Sequence, residues 1–513
     1  MHHRARSAFI RPLSLIIIIA FWGTACASKA QVLPDSSITP TAAFTATQTP
    51  EPTSTPTPAP PTPTASPSPQ PTEAPLPLSQ YTLAVDFDYD QRAGRVDEQI
   101  VYVNASADTL DELRLMVELF AYPGSFALTG LWWDDGAPVE NAVWENIQIR
   151  FPLRQPLAPG QSVTVRIAYE FRLPSQSSLT GSRPIPIGFT ARQANLVDWY
   201  PFVPPYRSGK GWLAYPPSFY GEHLVLDLAD FEVNLRLTGP ENLLVAASAA
   251  PAASDPGSGE LHYRHERARG FALSIGSDYQ SETAQAGGVT VTSYYFTLHD
   301  QAGKHALKAA VEALELYEQI FGPYPHDTLA VVQADFLDGM EYDGLFFLSK
   351  AFYNLSNGTP ADYLVAIAAH ETAHQWWYGV VGSDQANEPW MDEALATYSE
   401  YLYYEHYYPE ALDWWWANRI NLDNPRGWVN SSVYNARGAP QSYEDYRSAV
   451  YLNGAYFLHD LRQAAGDEAF FAFLKDYTAR FAGDIAFSGD FFALLAQHTQ
   501  ADLTPVLDRY FAK

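Results

Sequence analysis

From residue 81 to about residue 284 the chain alternates apolar and polar side chains with a period of two. Residues 81–87, Tyr-Thr-Leu-Ala-Val-Asp-Phe, set the pattern, and it returns in residues 95–104 after an Ala-Gly turn. Residues 163–169, residues 231–237 and Val289–Phe296 repeat it. Successive side chains of a strand point to opposite faces, so each stretch predicts a half-buried strand. Helical spacing is nearly absent here, which predicts an antiparallel β domain over residues 80–284. Near Ala302 the period changes. Ala306, Ala309, Ala310, Ala313, Leu314 and Tyr317 share one face of a helix that stops before Gly322-Pro323. Residues 285–513 are predicted to be mainly helical, with one strand around Thr328–Ala334.

The first eighty residues follow neither period. Residues 1–27 read as an export segment: Arg4, Arg6 and Arg11 precede residues 13–22, which are apolar apart from Ser14, and Gly23-Thr24-Ala25 then leads into Cys26. Ten residues make a helix of about 15 Å, half of a bilayer core, so a signal is expected rather than a membrane span. Cleavage before Cys26 would leave a lipid-anchored protein on the outer face of a bacterial membrane; cleavage after Ala27 would leave a secreted one. Residues 28–79 read as an unfolded spacer. Residues 31–80 hold 14 Pro and 11 Thr, with only Asp35, Glu51 and Glu73 charged, and cannot bury enough apolar area to fold.

Composition narrows the function. With 31 Lys+Arg against 58 Asp+Glu, the formal charge of −27 opposes nucleic-acid binding, which needs a basic surface to displace counterions. A single cysteine cannot form an internal disulfide and rules out cysteine-based metal clusters.

The informative residues are His370-Glu371-Thr372-Ala373-His374, inside an apolar run that starts at Tyr363 and continues into Gln375-Trp376-Trp377. Residues four apart share a helix face, so both imidazoles can aim at one point, with Glu371 turned about 100° away, beside a metal rather than on it. A hydrolytic zinc site takes a third protein ligand, usually a carboxylate, and keeps one position open. Glu393 lies nineteen positions after His374, at the start of a second helical pattern, across a loop that would let the helices pack.

These residues, with Trp390-Met391-Asp392-Glu393-Ala394 and the nearby Thr397-Tyr398, resemble the M1 family of zinc metallopeptidases, a gluzincin group. Asp338-Gly339-Met340-Glu341-Tyr342 resembles that family's exopeptidase loop, and Tyr451-Leu452-Asn453-Gly454-Ala455 its catalytic-tyrosine segment. The resemblance covers residues 80–513 and implies a saddle-like β domain followed by a thermolysin-like catalytic domain, without the family's usual C-terminal helical repeats. It implies one Zn2+ per chain on His370, His374 and Glu393. Glu371 is then the base acting on the zinc-activated water, and Tyr451 the donor to the oxyanion. Glu341 would hold the substrate's α-ammonium, with Gly339 and Met340 presenting backbone along the peptide. Glu400 would orient a ligand from behind. The implied activity is removal of N-terminal residues from peptides. A zinc endopeptidase of the same class and a surface-tethered, non-catalytic zinc protein are the alternatives.

Three positions depart from the family pattern: Tyr342 replaces Asn, Ala394 replaces Gly and Asn453 replaces Lys. Residues 198–207 lie where a D-E-P run is usual, and no such run is present, so a polar contribution from the β domain to the amine pocket is not legible. The aromatic segment of residues 401–416 reads as packing, and His305, His326 and His459 as isolated structural or exposed residues.

Overall fold

The computed structural model describes residues 77–178, 185–218, 220–252, 259–435 and 442–513. The export segment, Cys26 and all but the last three residues of the predicted spacer lie outside the described residues.

The period-two stretches build a six-stranded sheet in the order Glu260–Ala268, Ala229–Thr238, Ser79–Asp88, Ala93–Val103, Ser162–Arg172, Phe126–Trp133. Alternation decides its faces: Tyr81, Leu83, Val85 and Phe87 are buried, while Ala84 and Asp86 are exposed. The sheet is not wholly antiparallel, because Ser79–Asp88 pairs with Ala229–Thr238 in parallel. A parallel pair needs a long connection. Here the connection, residues 89–228, carries three further strands of the same sheet, a three-stranded sheet with Leu110–Met116 and part of a four-stranded sheet with Gln193–Leu196.

The helical region holds more strand than its periodicity predicts. A five-stranded mixed sheet runs in the order Tyr279–Ala286, Val289–Phe296, Thr328–Ala334, Leu345–Ser349, Gly339–Tyr342. Val289–Phe296, which extends the period-two pattern, therefore pairs with the second domain's strands rather than with the six-stranded sheet. Every residue of Gly339–Tyr342 and Leu345–Ser349 is buried, so no polar positions mark their period. The reason is position. Leu329, Val331, Phe346 and Leu348 pack into the helical core, whereas Ala330, Val332, Phe347 and Met340 pack into the β-domain core. One sheet closes two cores.

Helix α1, Asp300–Phe321, crosses between the parallel strands Val289–Phe296 and Thr328–Ala334 and buries the alanine face read from the sequence. The short α2, Lys350–Leu355, is capped by Ser349. Helix α3, Tyr363–Ala373, starts where the Asp362 side chain accepts the Leu364 N–H at 2.9 Å, and all of it after Tyr363 is buried. Helix α4, Trp390–Tyr407, packs on α3 and on the helix Asn453–Ala465. At that last crossing a Cβ on Gly454 would lie 2.5 Å from the Ala394 methyl, so Gly454 makes room for the alanine that departs from the family pattern.

Candidate metal and catalytic centre

The last turn of α3 presents His370 and Glu371, and His374 caps it. The first turn of α4 presents Glu393. The two helices bring three donor atoms together: the Nε2 atoms of His370 and His374 lie 3.1 Å apart, and Glu393 Oε2 is 3.3 and 3.4 Å from them. Each histidine's other nitrogen is already committed. His370 Nδ1–H donates to Glu400 Oε1 at 2.9 Å, and His374 Nδ1–H donates to the Trp377 carbonyl at 3.1 Å. Both Nε2 atoms therefore turn lone pairs toward one another and toward a carboxylate oxygen that has no hydrogen-bond partner. Lone pairs so arranged repel unless a cation lies among them. The buried N, N, O donor set fits zinc.

Glu400 is held in turn. Its Oε2 accepts from Trp415 Nε1 at 2.8 Å and Arg419 Nε at 3.0 Å, and Arg419 Nη2 reaches Oε1 at 2.8 Å. Burial alone would raise this carboxyl, but the Arg419 charge and the His370 bond hold it below the ordinary range. Neither Trp415 nor Arg419 stood out in the sequence, where the aromatic run reads as packing. Their spacing of four, one face of a turn, was the available signal.

Glu371 Oε2 is buried without a partner. Burial pushes its carboxyl up, and the charges of Glu341 and Glu393 add to this against the pull of His374. Gly339 on the edge strand comes so close that a Cβ there would sit 2.0 Å from Glu371 Oε1, which explains a glycine at this position. Tyr451, in the helical turn Ser448–Leu452, donates its hydroxyl hydrogen bond to Glu393 Oε1, with its ring 6.1 Å from that of His370. Burial and the Glu393 charge raise this phenol, so it stays a donor.

Glu341 lies on the same edge strand, with Gln385 Nε2 3.4 Å and His374 Nδ1 4.0 Å from its Oε1. Burial pushes it up to about 8. A cavity of about 400 Å³ brings these parts together: Gly339, Met340, Glu341, Glu371, Glu393 and Tyr451 line it, and so does Glu222 of the β domain. Glu222 also lines a neighbouring recess of about 50 Å³ with Glu341, Tyr342 and Asp198. Glu222 is thus a polar side chain of the β domain on this cavity that the sequence left unread; its segment, Tyr220-Gly221-Glu222-His223, has no periodicity to mark it. Tyr342, the second departure, hydrogen-bonds Asp198 Oδ2 at 3.2 Å and so joins the edge strand to the β domain. Asn453, the third, turns away and donates to the Gly427 carbonyl at 2.9 Å. His305 and His459 lie outside this cavity.

Residues 305–510 match the Peptidase family M1 domain model. Among curated proteins, a stretch of 209 residues is 29% identical to aminopeptidase M1-D of Oryza sativa subsp. japonica, 38% of this chain and 24% of that protein. A stretch of 219 residues is 30% identical to endoplasmic reticulum aminopeptidase 2 of Bos taurus, 40% of this chain and 23% of that protein. The matched region spans about a quarter of the length of these relatives. Among solved structures, an M1 zinc metallopeptidase from Deinococcus radiodurans superposes with a TM-score of 0.60 at 19% identity, over 85% of this chain and 93% of that one. Another structure, of an M1 zinc metallopeptidase mutant from that organism bound to a Tyr-Ser-Ala substrate, gives 0.58 at 19%, over 84% and 93%. These likenesses bear on the fold, a β-rich domain followed by a helical one.

Proposed function

From the match of residues 305–510 to the Peptidase family M1 domain model, we propose that the protein is a zinc-dependent aminopeptidase, removing residues from the free N-termini of peptides. One observation carries the reading: a single cavity is lined by two of the three clustered donors, His370 and Glu393, by an unpaired buried carboxyl beside them, Glu371, and by a second buried carboxyl on the edge strand, Glu341. Named aminopeptidases among the relatives support it.

His370, His374 and Glu393 would hold the zinc, which when bound polarises a carbonyl and acidifies a water. Glu371 takes the proton of the attacking water and passes it to the departing amine; its raised affinity for protons suits both steps. Tyr451 exchanges its hydrogen bond to Glu393 for one to the oxyanion. Gly339–Tyr342 ends its sheet, so its free edge can pair with an extended peptide backbone. Glu341, with Glu222 from the β domain, then meets the ammonium. A cation there repays the desolvation that keeps Glu341 up.

Cleavage rates on matched peptides with free and N-acetylated ends test the exopeptidase reading. Equal rates on both would make the protein an endopeptidase of the same class. Bound zinc with no hydrolysis of any peptide, and no difference between wild type and Glu371→Ala, would make it a binding protein. The proposal includes action outside the cytoplasm with a lipid anchor at Cys26, supported by the sequence pattern; intact mass of the membrane-fraction protein distinguishes the anchored from the secreted form.

A further inference from the structure

A second cluster of metal-type donors lies where the β domain meets the mixed sheet, and none of its members lines the 400 Å³ cavity. His265 comes from the strand Glu260–Ala268, His326 from the loop between α1 and Thr328–Ala334, and Asp343 from the turn after Gly339–Tyr342. One donor atom of each lies within 4.8 Å of the others. The two imidazole rings are 4.3 Å apart between centroids. His326 Nε2 meets Asp343 Oδ1 at 2.8 Å, while Asp343 Oδ2 accepts the Arg269 backbone N–H at 2.8 Å. His265 is only 3% exposed, and its Nε2 has no hydrogen-bond partner.

An interior ring nitrogen left without a partner is costly, and the protein could have avoided it with an apolar residue. Two imidazoles and a carboxylate from three separate elements are, in contrast, the donor set of a borderline first-row cation, zinc foremost. The backbone supports such a role. Gly344, at φ +76°, packs so tightly that a Cβ would lie 2.1 Å from the Ser248 carbonyl oxygen, which fixes the turn carrying Asp343. The Arg269 backbone bond fixes the orientation of the carboxylate, as hydrogen-bond partners behind the ligands do at metal sites. We propose that His265, His326 and Asp343 form a second zinc site, separate from the triad of His370, His374 and Glu393, with water as its remaining ligand.

Its place in the fold gives it a task. The same turn is gripped from the other side by Gln375, the residue after His374: Gly344 N–H donates to Gln375 Oε1 at 3.0 Å, and Gln375 Nε2 donates to the Tyr342 carbonyl at 3.1 Å. A cation on Asp343 would tie the β domain to the strand that presents Glu341, two residues upstream. The inference does not depend on the peptidase reading, because metal content tests it directly.

The full chain, saturated with zinc and dialysed, is assayed for metal by plasma mass spectrometry, with circular dichroism to establish folding. Two zinc ions per chain are expected in wild type and one in His265→Leu. One is also expected in His370→Ala, and none in the double variant. Should His265→Leu fail to fold, His326→Gln, which can still donate to Asp343, is expected to hold one. A single zinc in wild type, or two in a folded His265→Leu or His326→Gln, would overturn the site and leave a His326–Asp343 hydrogen bond with His265 packed beside it.

Discussion

Glu400 and Glu341 are buried acids that flank the same histidine pair through different rings, 2.9 Å from His370 Nδ1 and 4.0 Å from His374 Nδ1. Glu400 is held as a carboxylate by Arg419, Trp415 and His370, and all its acceptor capacity is used. Glu341 receives a long side-chain bond from Gln385, and burial pushes it up to about 8 against the pull of His374. The first arrangement is finished within the protein. The second is left short of positive charge on the wall of a cavity. In the proposed reading the same residue type does two jobs: a satisfied buried acid orients a ligand, and an unsatisfied one receives a cation from outside.

The comparison can be broken at its centre first. Glu371→Gln removes the proton carrier but none of the three donors, so kcat should fall by roughly 10²–10⁴-fold with zinc content unchanged. Loss of zinc together with activity would mean that Glu371 belongs to the donor set. Tyr451→Phe comes next. It should cost about 10²–10³-fold in kcat with little change in KM, since the donor acts on charge that develops in the transition state.

The two acids themselves are then separated by readout. Glu341→Gln removes a charge-assisted bond of about 1.5–3 kcal/mol, so KM for peptides with a free amine should rise about 10- to 150-fold. Metal content should not change. Glu400→Gln should do the reverse, weakening zinc about 10- to 100-fold in a competition with a chelator while barely moving KM once zinc is saturating. Had the two substitutions the same effect on both readouts, the distinction between a finished and an unfinished acid would be lost.

Much of this contrast was readable in the chain itself. His370, Glu371 and His374 needed only helical spacing, and Glu393 only a second helix at a plausible distance. Glu341 and Tyr451 were named through the family resemblance. Glu222 was not found, because it sits in no periodic run whose phase could give its direction, and Arg419 was passed over because the aromatic run before it reads as packing. The strands Gly339–Tyr342 and Leu345–Ser349 escaped for the opposite reason: both faces are buried, so their apolar pattern has no polar half.

The sequence alone determined which residues can share a face. That is a local property, set by 3.6 residues per helical turn and two per strand. It assigned the β and helical halves, put two imidazoles on one side of α3, and marked Glu371 as their neighbour. The tertiary structure decided which faces meet. Packing α4 on α3 brought Glu393 to the histidines, and closing one sheet between two cores set Gly339 against Glu371. The same closure put Glu222 on the wall of that cavity, and it placed His326, isolated in the sequence, beside His265 and Asp343. Those contacts join residues tens to hundreds of positions apart, and no period along the chain encodes them.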